Sequence, residues 1–278
     1  MRLLKETRTV NLLWTSGWDS TFRLLTLAAN ENTLINIFYI MQEVRGSLDI
    51  EMHTMDSLLK EMKQRFPGLE DRICSITHFK FNDIVKDPEI EEKYAQLNLI
   101  SPFGAQYTWL AEFAKMHGIY DMEMSIAAND GRVYVHLENV CEIAEDPILG
   151  EYYQLSSEIG EDSPYSMFRY FRFPTMMYTK LDMKRIAEEN GVIDILKKSW
   201  FCYTPIKGKP CGQCNPCRCA MEQGMSFRLP WQSKIRYHSI NCRLLRVVFR
   251  SLKILGESGI TGLVEKIRSK KKKDYHIS

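Results

Sequence analysis

The segment that most constrains the fold runs from Leu12 to Leu25, with the sequence LLWTSGWDSTFRLL. Apolar residues suited to a buried strand end at Trp14, and apolar residues resume at helical spacing from Phe22. The residues between them, Thr15 to Asp19, are suited to a tight turn. A helix N-terminus presents N–H groups and the positive end of a dipole, so this turn is a candidate phosphate-binding loop.

The side chains of this segment add hydroxyl groups and one carboxylate. The predicted nucleotide-binding residues are Thr15, Ser16, Gly17, Trp18, Asp19, Ser20 and Thr21. No G-K-[ST] sequence follows, so the segment is not the lysine-bearing P-loop. Two uses of Trp18 remain open, stacking on a nucleobase and packing between helix and sheet; packing is the commoner. Strand, turn and helix also occur in many α/β domains that bind no nucleotide.

Two further β-α units follow in the hydrophobic pattern. The pattern predicts a strand over 34–41, a helix over 48–66 and a third strand over 73–81, whereas the polar stretch up to residue 98 has no assignment. Successive β-α units with right-handed crossovers give a parallel sheet. We therefore predict an α/β fold with a doubly wound parallel sheet.

Later segments add two candidate site residues. A helix is expected from Pro102 to about residue 117, then a strand over 120–127 that ends in a turn holding Asp130. Ligands bind at the carboxyl edge of such sheets, so the Asp130 carboxylate is a candidate ligand group. A helix over 180–190, closed by Gly191, starts at Lys180, which either contacts phosphate or faces solvent.

Four acidic and imidazole side chains near this turn have weaker signals. Asp121 and Glu123 lie at the start of a predicted strand and are expected to be solvated. His136 and Glu138 either reach a cleft or form an ordinary surface pair, and the surface pair is the commoner outcome.

The sequence WFCYTPIKGKPCGQCNPCRCAM contains the clearest ligand pattern in the chain. Two successive C-x-x-C intervals and an upstream cysteine place Cys202, Cys211, Cys214 and Cys217 within reach of one tetrahedral ion. Zn²⁺ is the favoured ion, with an iron-sulfur cluster as the alternative. Because all four positions would be filled by protein, we expect the zinc to be structural.

Charge is distributed unevenly along the chain, whose net charge is +2. Residues 234–278 carry twelve Lys and Arg against three Asp and Glu, for a balance of +9, and the remainder carries −7. Basic residues recur at helical spacing over 239–255, opposite an apolar face. An anionic membrane surface and docking on a protein surface are the candidate roles of this tail, with nucleic acid less favoured.

Cellular location follows from the start of the chain and from the cysteines. No leading apolar segment reaches signal or transmembrane length, so we expect a cytoplasmic protein, with the tail as a route to peripheral attachment at the inner membrane face. Cysteines in a reducing compartment act as metal ligands or free thiols rather than as disulfides.

The loop and the cysteine pattern together resemble those of the 7-cyano-7-deazaguanine synthases, a family of PP-loop ATP pyrophosphatases, over about residues 8–225. The loop of that family is S-G-G-x-D-S, and T-S-G-W-D-S occupies it here over 15–20. The family's P-C-G-x-C-x-x-C-R matches residues 210–218, and Lys180 matches the lysine of its P-L-x-x-L-x-K.

The resemblance implies an adenylate-forming ligase with a PP-loop (HUP-like) fold that uses ATP, Mg²⁺ and Zn²⁺. Its small-molecule substrates would be ammonia and a carboxylate, which in the family is 7-carboxy-7-deazaguanine. Asp19 and Ser20 would be the catalytic residues, with Asp19 holding Mg²⁺ or ordering the loop. Homo-oligomer formation is also expected.

Three departures from the family pattern bear on specificity. Thr15 and Ser16 replace the family's serine and first glycine, and a Cβ at Ser16 could crowd a phosphate. Pro-x-Arg-Asn before the central helix is replaced by P-F-G-A over 102–105, and D-S-G-Y-P-D-C-R is reduced to N-D-G-R over 129–132, where Asp130 keeps a match. These changes lie on the substrate side of the expected site.

We therefore predict three parts: a nucleotide-binding α/β domain over 1–200, a zinc segment over 201–225 and a basic helical tail over 226–278. The alternatives to the synthase function are a PP-loop enzyme for a different carboxylate and a catalytically weakened, zinc-containing binding protein in an assembly.

Overall fold

A computed structural model describes residues 6–43 and 46–241 of the chain. The chain divides into two compact units, Met1–Thr204 and Pro205–Ser278. The strands described in the first unit are β1 (Arg8–Leu13), β2 (Thr33–Met41), β3 (Ile73–Lys80), β4 (Met122–Glu123), β5 (Cys141–Asp146), β6 (Gly150–Leu155) and β7 (Phe171–Phe173). Its helices are α1 (Trp18–Ala29), α2 (Leu48–Arg65), α3 (Leu69–Arg72), α4 (Pro88–Ile100), α5 (Gln106–Met116), α6 (Gly131–Leu137), α7 (Lys180–Glu189) and α8 (Ile193–Leu196). The second unit contains α9 (Asn215–Glu222) and α10 (Trp231–Asn241).

The strands form one mixed sheet in the order β3-β2-β1-β4-β7-β6-β5. Strands β1, β2, β3, β4 and β7 pair in parallel, and helices cover both sides of the sheet, which confirms the predicted α/β fold. The edge strands β5 and β6 form an antiparallel hairpin, which makes the sheet mixed. The hairpin lies in a segment whose hydrophobic pattern has no clear period, so the sequence did not predict it.

The order of the strands reverses between β1 and β4. The chain proceeds from β1 to β2 and β3 on one side, and later places β4 and β7 on the other side. In open α/β sheets, ligands bind beyond the carboxyl ends of the strands at such a switch point. The segment after β1 and the segment after β4 both lie at this edge, because the two strands are parallel.

Apolar side chains on both faces of the parallel strands form the core. Leu12, Ile35 and Ile37 have no exposed surface, and neither does Trp14, immediately after β1. A central parallel strand is covered on both faces and forms a nearly continuous apolar run, which is why β2 is visible in the sequence. The edge strand β3 instead alternates half-buried and exposed residues, a period of two that also marks a strand. Helices α2 and α7 match their predicted ranges to within one residue.

Helix α4 fills the polar stretch that had no assignment. Asp87 caps the helix, with its carboxylate accepting hydrogen bonds from the N–H groups of Glu89 and Ile90, and Pro88 occupies the first turn. An aspartate followed by a proline is a helix start signal. The apolar residues of α4 do not lie on one face, since Leu99 and Ile100 are exposed, so the hydrophobic period does not reveal the helix.

Helix α5 begins at Gln106 and not at Pro102. The carbonyl of Pro102 accepts a hydrogen bond from Arg132 (2.9 Å), and the carbonyl of Phe103 accepts one from the hydroxyl of Tyr94 (3.0 Å). These two acceptors therefore serve side chains from other elements, and the helix starts after them.

Strand β4 is shorter than the predicted strand over 120–127. The N–H of Met124 still donates to the carbonyl of Arg172 in β7 (2.9 Å). Further along, the hydroxyl of Thr175 donates to the carbonyl of Ile126 (3.0 Å), so a side chain replaces the strand ladder.

A buried ion pair joins α1 to β4. The guanidinium of Arg23 donates two hydrogen bonds to the carboxylate of Glu123, at 2.7 and 2.6 Å, and the two side chains are 10% and 3% exposed. The predicted solvation of Glu123 is therefore wrong, because its position at the end of a central strand places it under α1. Asp121 is half-buried and accepts a hydrogen bond from Asn11 (2.9 Å).

The second unit is described as far as α10. Arg236 on α10 donates to the carbonyls of Cys211 (2.6 Å) and Pro210 (3.2 Å), so this part of the basic tail holds the cysteine loop. The remaining tail, residues 242–278, lies outside the described residues. Of the helices in the described part of the chain, none is both long and apolar enough to cross a membrane.

Replacing Glu123 with alanine should lower the free energy of unfolding by about 3 kcal/mol, because it leaves the Arg23 guanidinium buried without its partner. The matched control is Glu70→Ala, which removes an exposed pair with Lys63 and should cost less than about 1 kcal/mol. Urea denaturation measures both values. Equal effects of the two substitutions would contradict a structural role for the buried pair.

Candidate functional site

The phosphate-loop candidate joins β1 to α1 and is shorter than the sequence suggests. Helix α1 begins at Trp18, and Gly17 is its N-cap with φ −71° and ψ 167°. The loop proper therefore spans 14–17, and Asp19 already lies in the first helical turn. The first N–H groups of a helix have no partner within the helix, so they are available to an anion at this end.

Ser16 has the least ordinary conformation of the loop. Its φ is 53°, in the left-handed region, and its side chain has no exposed surface. Within the described residues its hydroxyl has no hydrogen-bond partner. A serine with positive φ costs about 1–2 kcal/mol, and a buried hydroxyl without a partner costs about 1–3 kcal/mol. The loop therefore places a strained residue and an unused donor at the expected phosphate position.

Thr15 and Ser20 connect the two ends of the loop. The N–H of Thr15 donates to the hydroxyl of Ser20 (3.3 Å), and the two hydroxyl oxygens lie 3.4 Å apart. A Cβ built on Gly17 would lie 3.2 Å from the hydroxyl oxygen of Thr15, which is a tight contact. A glycine therefore lets the backbone pass close to this hydroxyl pair.

Trp18 and Thr21 lie on the buried side of α1. Trp18 is 3% exposed and Thr21 is fully buried. The indole N–H of Trp14 donates to the hydroxyl of Thr21 (3.1 Å). The burial of Trp18 favours packing between helix and sheet over stacking on a nucleobase. The hydrogen bond between Trp14 and Thr21 joins the end of β1 to α1. The accessible residues here are Thr15 and Gly17 of the loop and Asp19 of the first helical turn.

Three charged side chains that are distant in sequence meet beside the loop. The ammonium of Lys180 lies 2.7 Å from a carboxylate oxygen of Asp130 and 3.9 Å from one of Asp19. Their side chains are 18%, 25% and 17% exposed, so the cluster is partly shielded from water. Carboxylate oxygens, which are suitable ligands for a divalent cation, thus lie beside an ammonium group at the switch point.

Local sequence explains how Lys180 and Asp130 reach this position. Thr179 and Asp182 form a capping box that fixes the start of α7, so Lys180 is its first residue. Asn129 and Gly131 both have positive φ, at 58° and 72°, which turns the chain sharply on either side of Asp130. Asparagine and glycine are the residues that tolerate this conformation.

Tyr107 on α5 is a further residue of this region that the sequence analysis placed only on the buried side of a helix. Burial raises the pKa of its phenol, and the carboxylates of Asp130 and Asp19 raise the pKa further. The phenol therefore stays protonated at neutral pH and can donate a hydrogen bond. Its closeness to these carboxylates depends on how α5 packs, which no local pattern reveals.

His136 lies in the core and not on the surface. It is 5% exposed, its Nε2 lies 2.9 Å from the carbonyl oxygen of Ser101, and its ring packs against Phe103. The surface interpretation is therefore wrong for His136, whereas Glu138 is exposed. The segment before α5, which differs from the family pattern, packs on this histidine.

The four predicted metal ligands converge. The Sγ atoms of Cys202, Cys211, Cys214 and Cys217 all lie within 4.8 Å of one another. Four thiolates around one zinc ion would have sulfurs about 3.8 Å apart, from a Zn–S distance of about 2.3 Å. The sulfurs of Cys211 and Cys217 are 3.8 Å apart. The spacing therefore fits a single ion such as Zn²⁺ better than an iron-sulfur cluster, whose ligands are spread over several irons.

Backbone geometry around Cys211 supports a thiolate. The N–H groups of Gln213 and Cys214 point at its sulfur, at 3.3 and 3.2 Å. Gly212 has φ 81°, and a Cβ there would overlap with the backbone of Ser233. Only glycine fits this turn, which explains the C-G-x-C sequence in physical terms.

Comparison with known proteins gives one family match. Residues 156–225 match the family described as Queuosine biosynthesis protein QueC. The matched segment contains Lys180, α7 and all four cysteines, and it confirms the predicted resemblance to the 7-cyano-7-deazaguanine synthases over this quarter of the chain. The phosphate loop and Asp130 lie outside the matched segment. No curated protein matches the chain.

Replacing Cys211 with serine should lower the zinc content and the melting temperature, because three thiolates bind the ion less tightly than four and the loop depends on the ion. Cys219→Ser is the matched control, since Cys219 lies two residues from Cys217 but outside the cluster. Elemental analysis and thermal denaturation give the two readouts. A normal zinc content in the Cys211 variant would refute the ligand assignment.

Replacing Ser16 with glycine should raise the free energy of unfolding by about 1 kcal/mol, because glycine adopts positive φ without strain and no buried hydroxyl remains. The same replacement at Ser20, inside α1, should lower it by about 1 kcal/mol. Chemical denaturation distinguishes the two signs. A lower free energy of unfolding in the Ser16→Gly variant would contradict backbone strain at Ser16.

Proposed function

We propose that this protein is an ATP-dependent, adenylate-forming ligase of the PP-loop type. It would activate a carboxylate with ATP and join it to ammonia. The observation that carries the proposal is the cluster of Asp19, Asp130 and Lys180 beside a loop that ends at a helix N-terminus, at the switch point of the sheet. The family match over 156–225 supports the same class of function, a PP-loop ligase-like enzyme of the queuosine pathway.

The nucleotide phosphates would occupy the space above the loop. The helix dipole of α1 and the N–H groups of its first turn favour negative charge there. The hydroxyl of Thr15 is exposed, and the hydroxyl of Ser16 is a buried donor without a partner among the described residues.

Lys180 would supply the positive charge that stabilises the leaving pyrophosphate. In the described structure its ammonium is held by Asp130 and is close to Asp19, so it already has its place before ATP binds. A preorganised cation acts strongly in a partly shielded site, because little reorganisation is needed when charge develops.

The carboxylates of Asp19 and Asp130 are suitable ligands for Mg²⁺. Magnesium sites that handle nucleotides use one or two carboxylates together with phosphate oxygens and water. When bound, Mg²⁺ would neutralise phosphate charge; the protein's own part is to hold Asp19 in the first turn of α1 and Asp130 in the turn before α6.

The chemistry needs ATP because oxide is a poor leaving group. A carboxylate oxygen attacks the α-phosphorus of ATP, pyrophosphate leaves, and an acyl adenylate forms. Ammonia then attacks the acyl carbon and displaces AMP to give an amide. A second activation at the amide oxygen, with loss of AMP and the two amide protons, would give the nitrile. The residues named above contribute position and charge to both activations.

We further propose 7-carboxy-7-deazaguanine as the acceptor, because it is the carboxylate of the family that the chain resembles. The altered segments over 102–105 and 129–132 leave a related carboxylate as the alternative acceptor.

A second candidate function rests on Ser16. A side chain and a strained backbone occupy the position of a family glycine, and both would hinder close approach of a phosphate. This observation favours a zinc-containing binding protein that keeps the fold and has lost catalytic power.

Incubation with ATP, Mg²⁺, ammonium and 7-carboxy-7-deazaguanine should yield AMP and the nitrile, identified by mass spectrometry. Lys180→Ala and Asp19→Ala should each lower the rate by about 100-fold or more, because each removes a charge placed for the transition state. The matched control is Lys184→Ala, one turn along α7, where the lysine pairs with Glu188.

The products distinguish the candidates. AMP without the nitrile, in a panel of other carboxylates, would favour a different acceptor. If the unmodified protein neither forms AMP nor binds ATP, the proposed enzymatic function is refuted and the binding protein is favoured. Equal losses of reaction rate in the Lys180→Ala and Lys184→Ala variants would contradict the site assignment.

A further inference from the structure

The phosphate loop is tied to the segment that leads into the cysteine cluster. The N–H of Trp200 donates to the carbonyl of Ser16 (2.8 Å), the residue with the strained conformation. The carbonyl oxygen of Trp200 lies 3.9 Å from where a Cβ on Gly17 would be, so the two segments are in close contact along the loop. This bond fixes the direction of the Ser16 carbonyl.

The side chain of the same tryptophan holds the main chain of a metal ligand. The indole N–H of Trp200 donates to the carbonyl of Cys202 (2.8 Å), and Cys202 is fully buried with its sulfur in the four-cysteine cluster. Trp200 is half-buried. Its backbone therefore contacts the phosphate loop, and its side chain contacts a residue whose sulfur belongs to the cluster.

Strain at Ser16 needs an external constraint to persist. A residue in a sparsely populated backbone region keeps that conformation only where surrounding contacts impose it. The bond from Trp200 is a described contact of the Ser16 main chain from outside the loop and its helix. If Cys202 moves, Trp200 loses its side-chain partner and the loop can relax.

We propose that metal binding at the four cysteines sets the conformation of the phosphate loop through Trp200, which acts as a positioning residue. The effect on nucleotide affinity rests on the proposed function, whereas the effect on the loop itself does not. Metal occupancy thus controls whether the loop is ready for phosphate, although the metal does no chemistry there.

Hydrogen exchange measured by mass spectrometry tests the effect on the loop directly. In the full chain, removal of the metal with a chelator should speed exchange about tenfold in peptides covering 14–21 and 196–202. A peptide covering α2, residues 48–65, should be unchanged and reports any general unfolding. Unchanged exchange over 14–21 after loss of the metal would overturn the proposal.

Trp200→Phe tests the link with the metal still bound. Phenylalanine keeps an aromatic ring but cannot donate to the Cys202 carbonyl, so exchange over 14–21 should rise about three- to tenfold at unchanged zinc content. The matched control is Trp231→Phe, at a 67% exposed position on α10, which should behave as the unmodified protein. Equal exchange in the two variants would overturn the proposal.

Nucleotide affinity separates this inference from the proposed function. The Kd for ATP, measured by titration calorimetry, should rise about three- to tenfold in Trp200→Phe and remain unchanged in Trp231→Phe. An unmodified protein that binds no ATP would refute the proposed function, while the exchange data would still decide the effect on the loop. ATP binding that is unaffected by both metal removal and Trp200→Phe would overturn the inference alone.

Discussion

The buried ion pair between Arg23 and Glu123 holds together the two sides of the sheet's switch point. Arg23 belongs to the helix that starts at the phosphate loop, and Glu123 ends the strand that leads to Asp130. Two charges away from water are tolerated only when each satisfies the other, so this pair allows one relative placement of α1 and β4. That placement brings the groups of the candidate site to one edge.

The charged cluster at this edge contains two carboxylates and one ammonium, so it carries one net negative charge. The Lys180 ammonium lies 2.7 Å from a carboxylate oxygen of Asp130 and 3.9 Å from one of Asp19, so both carboxylates share this one counter-charge. The Tyr107 phenol adds a neutral donor, because its pKa is raised by burial and by these carboxylates. A site of this kind can accept phosphate and a divalent cation together, since the added charges largely neutralise each other.

Prediction from sequence succeeded where the controlling interactions are local. The capping box at Thr179 and Asp182 defines the start of α7, and the cysteine cluster lies within sixteen residues whose glycine and prolines shape the turns. It failed for Glu123 and His136, which are polar residues in the core, because their partners Arg23 and Ser101 are far away in the chain. The hairpin of β5 and β6 also has no clear sequence period.

The sequence alone determined the α/β class, the turn between β1 and α1 and the four cysteines that cluster, because hydrophobic period, capping residues and cysteine spacing act over a few residues. Only the tertiary structure decided that Lys180 lies within 3.9 Å of carboxylate oxygens of both Asp19 and Asp130, and that Trp200 donates a hydrogen bond to Ser16. These contacts join segments separated by tens of residues or more. Their geometry follows from the order of the strands and the packing of the helices, which no local pattern contains.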